Sequence, residues 1–291
     1  MKAALVLFMG VVAVSFASIF IRLAEAPPLI IAAYRLGLAS LVIGPVALIR
    51  SGQELRALNR RDLFYLVIAG VFLALHFGLW IASLAYTTVA SSVILVTMSP
   101  LFVGLFSPLL GMDRVTKGML GGILLSLVGS MAIGYGDFAL GRGALWGDIL
   151  ALGGAVMVTG YLLAGRRLRQ DLSLLPYISL TYSVAAAVTL LLCLLTGQRL
   201  TGYSSTTYLM FILLALVPQV IGHSAFNWAL GYLSAPFVSV TILGEPVGAT
   251  ILAYLILNEV PTLLKIIGGA MILSGIYLAS RQEVVEVVPV K

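Results

Sequence analysis

Apolar runs of about 20 residues, each long enough to cross a bilayer as a helix, follow one another along almost the whole chain. They fall near 3–22, 28–49, 63–85, 89–110, 115–135, 146–165, 174–196, 206–230, 235–257 and 262–280, which predicts about ten spanning helices. Glycine, proline and charged residues gather in the breaks, around 24–28, 50–62, 111–117, 134–143, 166–171, 197–205 and 258–261. The breaks near Thr87 and Ser234 are short, so spans 3 and 4, and likewise spans 8 and 9, are expected as tight hairpins. Residues 281–291 are too few to span and form a tail.

The pattern also repeats. A stretch beginning at His76 and reaching Pro100 returns between His223 and Pro246. An offset of 146 maps Tyr86 onto Tyr232, Pro100 onto Pro246, Asp113 onto Glu259, Gly122 onto Gly268 and Gly129 onto Gly275, while the two histidines match one residue out of register. Duplication divides the chain into a first five-helix repeat, 1–136, a second, 137–281, and a tail, 282–291. Five is odd, so the second copy enters the membrane upside down. Inverted repeats of this kind build many secondary transporters, whose substrate site lies near the midplane where the halves meet. The first span could also be read as a signal sequence, but the repeat needs it as the mate of span 6, so it is expected to be retained.

Composition agrees with this all-α, polytopic membrane class. Hydrophobic residues make up 61% of the 291 and charged residues 10%, with a mean hydropathy of +1.12. A soluble domain is about 45–50% apolar and about 25% charged. The net charge of +6 is read as topology and attraction to anionic lipid, with no nucleic-acid partner expected. With the N-terminus inside, 12 of the 17 basic residues fall on the cytoplasmic side, including Arg60, Arg61, Arg114, Lys117, Arg166, Arg167 and Arg169. Four face outward (Arg22, Arg142, Arg199 and Lys265), and Arg35 lies within span 2. Both termini are therefore expected in the cytoplasm. Cys193 is the lone cysteine and forms no internal disulfide. Metal-ligand spacings, a phosphate-binding G-x-x-x-x-G-K-[ST] and a nucleophile elbow are all missing, so no metal, cofactor or enzymatic activity is expected.

Small residues four apart make close-packing stripes: Gly70, Ala74, Gly78 and Ala82 on span 3, Gly118, Gly122, Ser126 and Ser130 on span 5, and Gly147, Ala151, Ala155 and Thr159 on span 6. Candidate chemistry rests on the polar residues, because polar groups are costly in lipid. At α-helical spacing Gln219, His223 and Asn227 share a face of span 8, and His76, Trp80 and Ser83 share one of span 3, so both stripes are candidates for lining a central cavity. Tyr34, within a span, is a further candidate for stacking on a flat substrate. Arg35 and Glu245 lie deep within spans 2 and 9 and are candidates for a charge pair, with Glu245 also a candidate for proton uptake and release. Pro100 and Pro246 each lack an amide hydrogen, which frees the carbonyls of Val96 and Ile242 and predicts a helix break or hinge. Asp113, Asp148 and Glu259 read as carboxylates at helix N-termini.

The paired motifs AYTTVASSVILVTMSPLF with LLGMDRVTKG, and GYLSAPFVSVTILGEPV with LILNEVPT, together with PPLIIAAYR ending at Arg35, resemble the EamA-type drug/metabolite transporters over nearly the whole chain. One departure is Asp113, where that family usually has Glu. The resemblance implies ten spans as two inverted five-helix repeats in a prokaryotic inner membrane, and export of amino acids, other small metabolites or toxic compounds. The leading expectation is alternating-access export of a small metabolite such as an amino acid. The alternative is multidrug efflux, with an intramembrane enzyme or passive channel as remote readings. A small-molecule substrate and the bilayer are the expected partners; a monomer suffices and a homo-oligomer is left open.

Overall fold

A computed structural model describes residues 2–87, 89–134, 142–257 and 260–282, and these are helical with no strand among the described residues. The expected junction between repeats, the carboxylate of Glu259 and nearly all of the tail lie outside the described residues. Seven helical segments are long and apolar enough to cross a membrane, and three shorter apolar helices accompany them. The first crossing joins α1 (Lys2–Ser15) and α2 (Ala17–Leu23). After it come α3 (Pro28–Arg56), which starts on a proline, and α4 (Arg60–Ser83), whose cap Asn59 accepts from the Asp62 amide at 2.8 Å. The expected span 4 is two pieces, α5 (Val89–Val96) and α6 (Ser99–Leu109), with Pro100 in the first turn of α6 where its missing amide hydrogen costs nothing. Then come α7 (Lys117–Gly134), α8 (Arg142–Leu168) and α9 (Leu174–Leu195).

The expected span 8 is interrupted: α10 (Ser205–Leu214) passes into a π-helical stretch, Ala215–His223, and then α11 (Ser224–Ala229). A tight turn leads to α12 (Ala235–Ile242), which breaks at Leu243 before α13 (Gly244–Leu257), with Pro246 in the first turn of α13. The last helix is α14 (Leu263–Ser280).

Packing pairs α3 with α9, α4 with α8, α1 with the π-helical stretch, and α7 with α14. The last pair is the closest. A methyl group on Gly122 would lie 2.6 Å from the Gly275 carbonyl oxygen, and one on Gly129 would lie 2.6 Å from the Gly268 carbonyl oxygen. Moving up one helix moves down the other, so the two are antiparallel. Ser126 donates across the same seam to the Ile272 carbonyl at 3.2 Å. Backbones this close gain dispersion contacts that larger residues would forbid. Gly129→Ala is therefore expected to force α7 and α14 apart and to destabilise the protein by about 1–3 kcal/mol, read as a lower melting temperature in detergent. An unchanged melting temperature would show that the seam yields without cost.

The outer surface is greasy. Ile49 is 84% exposed, Leu195 73% and Leu263 73%, a distribution that suits lipid contact and would be untenable in water. Buried inside are Arg35, Gln219, Asn227, Tyr161 and Tyr182. The chain is thus a multi-pass membrane protein with polar groups gathered in its interior.

Candidate functional site

Arg35 sits on α3 at 1% exposure, which in a hydrocarbon setting requires acceptors close by. Its Nε donates to Gln219 Oε1 at 2.8 Å, and its guanidinium carbon lies 4.0 Å over the Phe77 ring. These two contacts hold the fork in place. Its Nη1 has no hydrogen-bond partner, nor have Gln219 Nε2 and Trp80 Nε1.

Arg35 and Trp80, but not Gln219, border an internal cavity of about 40 Å³. Its polar lining is Arg35, His76, Thr97, Ser99, His223 and Glu245. Its apolar lining comes from Val14, Ala17, Trp80, Val96, Val158, Phe226 and Ile242. Both expected repeats contribute, and the two helix breaks at Thr97–Met98 and Leu243 stand beside it. His76 Nδ1 is 3.0 Å from the Gly154 carbonyl, which can only accept, so the ring carries its proton there. Its ring is stacked on Trp80 at 6.0 Å between centroids, and His223 meets Phe77 edge-on at 5.3 Å. Arg35 and Glu245, candidates for a charge pair, share the cavity, yet no direct ion pair joins them among the described residues, because Gln219 and Phe77 hold the guanidinium.

Four candidate lining residues are elsewhere: Gln219, which is taken up in holding Arg35 Nε and is no part of the lining, and Ser83, Tyr34 and Asn227. Ser83 donates to the Trp80 carbonyl at 2.6 Å and meets Ser92 Oγ at 2.5 Å, in the last turn of α4. Tyr34 donates to the Leu200 carbonyl at 2.7 Å and stacks on Phe211, centroids 4.4 Å apart, because its neighbour Arg35 takes the inward position. Asn227 is fully buried among tyrosines: Tyr161 OH donates to its Oδ1 at 2.8 Å, and its Nδ2 donates to Tyr182 OH at 3.3 Å. The π-helical turns, which end at His223, separate Gln219 from His223 and do not act on Asn227, which follows in α11. Their hydrogen bonds run from i to i+5, so residues four apart no longer share a face as they do in an α-helix. Phe77, Val158 and Phe226 carried no sequence signal beyond hydrophobicity.

A second polar cluster closes one end of the bundle. Arg166, in the last turn of α8, forms a salt bridge to Asp113 at 2.9 Å, with its Nε also donating to that carboxylate at 3.1 Å. Asp113 Oδ2 accepts from the Ala235 amide at 2.9 Å, at the start of α12, and Arg166 Nη1 donates to the Leu230 carbonyl at 3.2 Å. Arg169 adds a bond from Nε to the Asn227 carbonyl at 3.0 Å, and burial draws its guanidinium below the ordinary arginine pKa. The turn between α11 and α12 is thus gripped on both sides, carboxylate on amide and guanidinium on carbonyl, each matching a helix dipole. Asp113 acts on α12, a helix of the other expected repeat, rather than on α7, whose start it precedes in sequence. At the opposite end Thr87 donates to Asp148 at 2.9 Å, and an open vestibule of about 490 Å³ lies beside Ser18, Ile21, Arg22, Ile31, Ile81 and Leu84.

The family model of the EamA-like transporters matches residues 1–135 and again residues 145–281. The chain belongs to that family. Among EamA relatives, an uncharacterized transporter of Archaeoglobus fulgidus is 28% identical over 289 residues, covering 96% of both chains. The uncharacterized transporter YdfC of Bacillus subtilis is 26% identical, covering 83% of this chain and 79% of its own. YetK, an uncharacterized transporter from the same bacterium, is 30% identical over 76% of this chain and 69% of its own. A solved crystal structure superposes with a TM-score of 0.81 at 19% identity, over 97% of this chain and 98% of that one, a likeness of fold alone. The EamA assignment agrees with the membrane architecture and makes the protein a transporter.

Proposed function

We propose that this EamA protein is a secondary transporter that exports small metabolites, amino acids foremost, across the inner membrane by alternating access. The carrying observation is the internal cavity, which holds Arg35 and Glu245 without a direct pair between them and is built from both halves of the chain. A buried Arg35 and a half-buried Glu245 left in this way inside a membrane protein mark a polar passenger. The architecture proposed is ten spans in two inverted five-helix halves. Its support is reciprocal packing: Gly122 touches Gly275 and Gly129 touches Gly268, which is the pattern expected when counterparts 146 residues apart pack about a two-fold axis.

Orientation follows the excess of basic residues near Arg166, so that end and both termini face the cytoplasm. In this conformation the vestibule by Arg22 faces outward, while the Asp113–Arg166 cluster closes the inner end. A cavity of about 40 Å³ has room for about three waters, so substrate entry demands that the halves part around it. Glu245 is the coupling group in this reading, exchanging a proton with each cycle.

Counterflow in proteoliposomes tests the function: loading with unlabelled amino acid is expected to speed entry of labelled tracer at least several-fold over empty vesicles. Efflux of cationic dyes without amino-acid counterflow would favour multidrug export, which the aromatic wall of Trp80 and Phe226 suits. Silence for every solute tested would sink the carrier reading.

A further inference from the structure

We infer that the cavity is a polarised site for a zwitterion, with its carboxylate on Arg35 and Trp80, its ammonium on Glu245, and a small apolar side chain between them. This rests on the transporter reading and deepens it. Arg35 and Trp80 are 1% and 4% exposed, and each keeps a buried nitrogen–hydrogen donor without a partner, Nη1 and Nε1. A buried donor left unpaired costs about 1–3 kcal/mol, so two on one small cavity are explained by an acceptor that is present for part of the cycle. A carboxylate is that acceptor, since its two oxygens can take a guanidinium and an indole together.

The guanidinium is already held. Gln219 takes its Nε at 2.8 Å and Phe77 supports its face at 4.0 Å, which orders the guanidinium on the cavity wall and leaves its buried Nη1 without a partner. Glu245, from the other half, supplies the complementary charge, and no hydrogen bond to its carboxylate is present among the described residues. Much of the remaining wall is aliphatic, from Val14, Ala17, Val96, Val158 and Ile242, and this part suits a small apolar side chain, while Thr97, Ser99 and the two histidines add polar groups to the rest. An α-amino acid carries ammonium and carboxylate on one carbon, close enough to meet both charges in a site this small. Ammonium and proton compete for Glu245, so holding one excludes the other, and this exclusion ties the inference to the coupling role above. His76, His223 and Arg35 are the other titratable or charged groups on the cavity wall.

The experiment is counterflow of labelled valine into valine-loaded proteoliposomes of the full chain, with isobutylamine, which lacks the carboxylate, and isovalerate, which lacks the ammonium, as competitors. Valine is expected to exchange, and both fragments are expected to compete at least tenfold more weakly than valine. Trp80→Phe removes the indole donor while keeping an aromatic ring; it is expected to raise the half-saturating valine concentration about tenfold with little change in maximal rate. A merely structural Trp80 would lower the rate and leave half-saturation unmoved. Isobutylamine competing as well as valine would overturn the carboxylate subsite, as would an unchanged half-saturation in Trp80→Phe. Exchange of some other solute with none of valine would overturn this inference and leave the transporter reading standing. Exchange of nothing by folded protein would overturn the transporter reading itself.

Discussion

Asp113→Asn is expected to open the end of the protein that its cluster with Arg166 closes, the cytoplasmic end in the proposed orientation. The substitution keeps shape and removes charge, taking its counter-ion from the Arg166 guanidinium at 4% exposure. Removing one partner of a buried ion pair typically costs about 3–5 kcal/mol, because the other charge stays buried without its counter-ion. Asp113 is itself 11% exposed, so the lower part of that range applies. The loss falls on the conformation in which the cluster is formed. A bias of about 3 kcal/mol moves a two-state equilibrium by roughly a hundredfold. Ser99 lines the cavity, so a Ser99→Cys reporter in a Cys193→Ala background reads the change. Labelling by an impermeant maleimide should rise by tens of fold in inside-out vesicles and change little in right-side-out ones. Equal labelling from both faces, or none gained, would mean that Asp113 and Arg166 hold the fold together without controlling access.

Glu245→Gln is expected to uncouple the carrier from the pH gradient. One proton exchanged per substrate lets a gradient of one pH unit support about tenfold accumulation, since one unit corresponds to 1.36 kcal/mol. Glutamine has nearly the same shape and carries no exchangeable proton at neutral pH. Accumulation of valine under an imposed gradient should therefore fall from about tenfold toward unity, while counterflow at equal pH continues at a higher half-saturating concentration. His76 and His223 share the cavity, and they are the groups to which remaining coupling in the glutamine variant would point. Such remaining coupling would remove Glu245 from the proton pathway.

Some of this was legible from the residues alone and some was not, for reasons specific to each. The membrane class was legible because a bilayer admits few ways to satisfy a backbone, so apolar runs of about 20 residues carry a strong signal. Arg35 and Glu245 stood out because lipid makes such residues rare. What Arg35 touches was hidden, since Gln219 lies 184 residues further along. Arg166 looked like one more basic residue counted for topology, and nothing local ties it to Asp113, 53 positions earlier. Counting in fours puts Gln219 and Asn227 on one face with His223, but Gln219 is reached through π-helical turns and Asn227 is taken by Tyr161 and Tyr182, partners far away in sequence. No sequence pattern announced the wider turns that end at His223.

Those wider turns make span 8 a geared shaft rather than a rigid rod. A π-helical stretch holds slack in its winding, and that slack can be passed along the axis by remaking a few backbone bonds at a time. When it travels, the part below turns with respect to the part above. Gln219 and Asn227 lie on opposite sides of His223, so rotation between them would twist the grip on Arg35 against the tyrosine cluster at the far end. Deleting Ile221 would take out the slack, lock the two segments in one phase and leave a helix that can tilt but no longer wind.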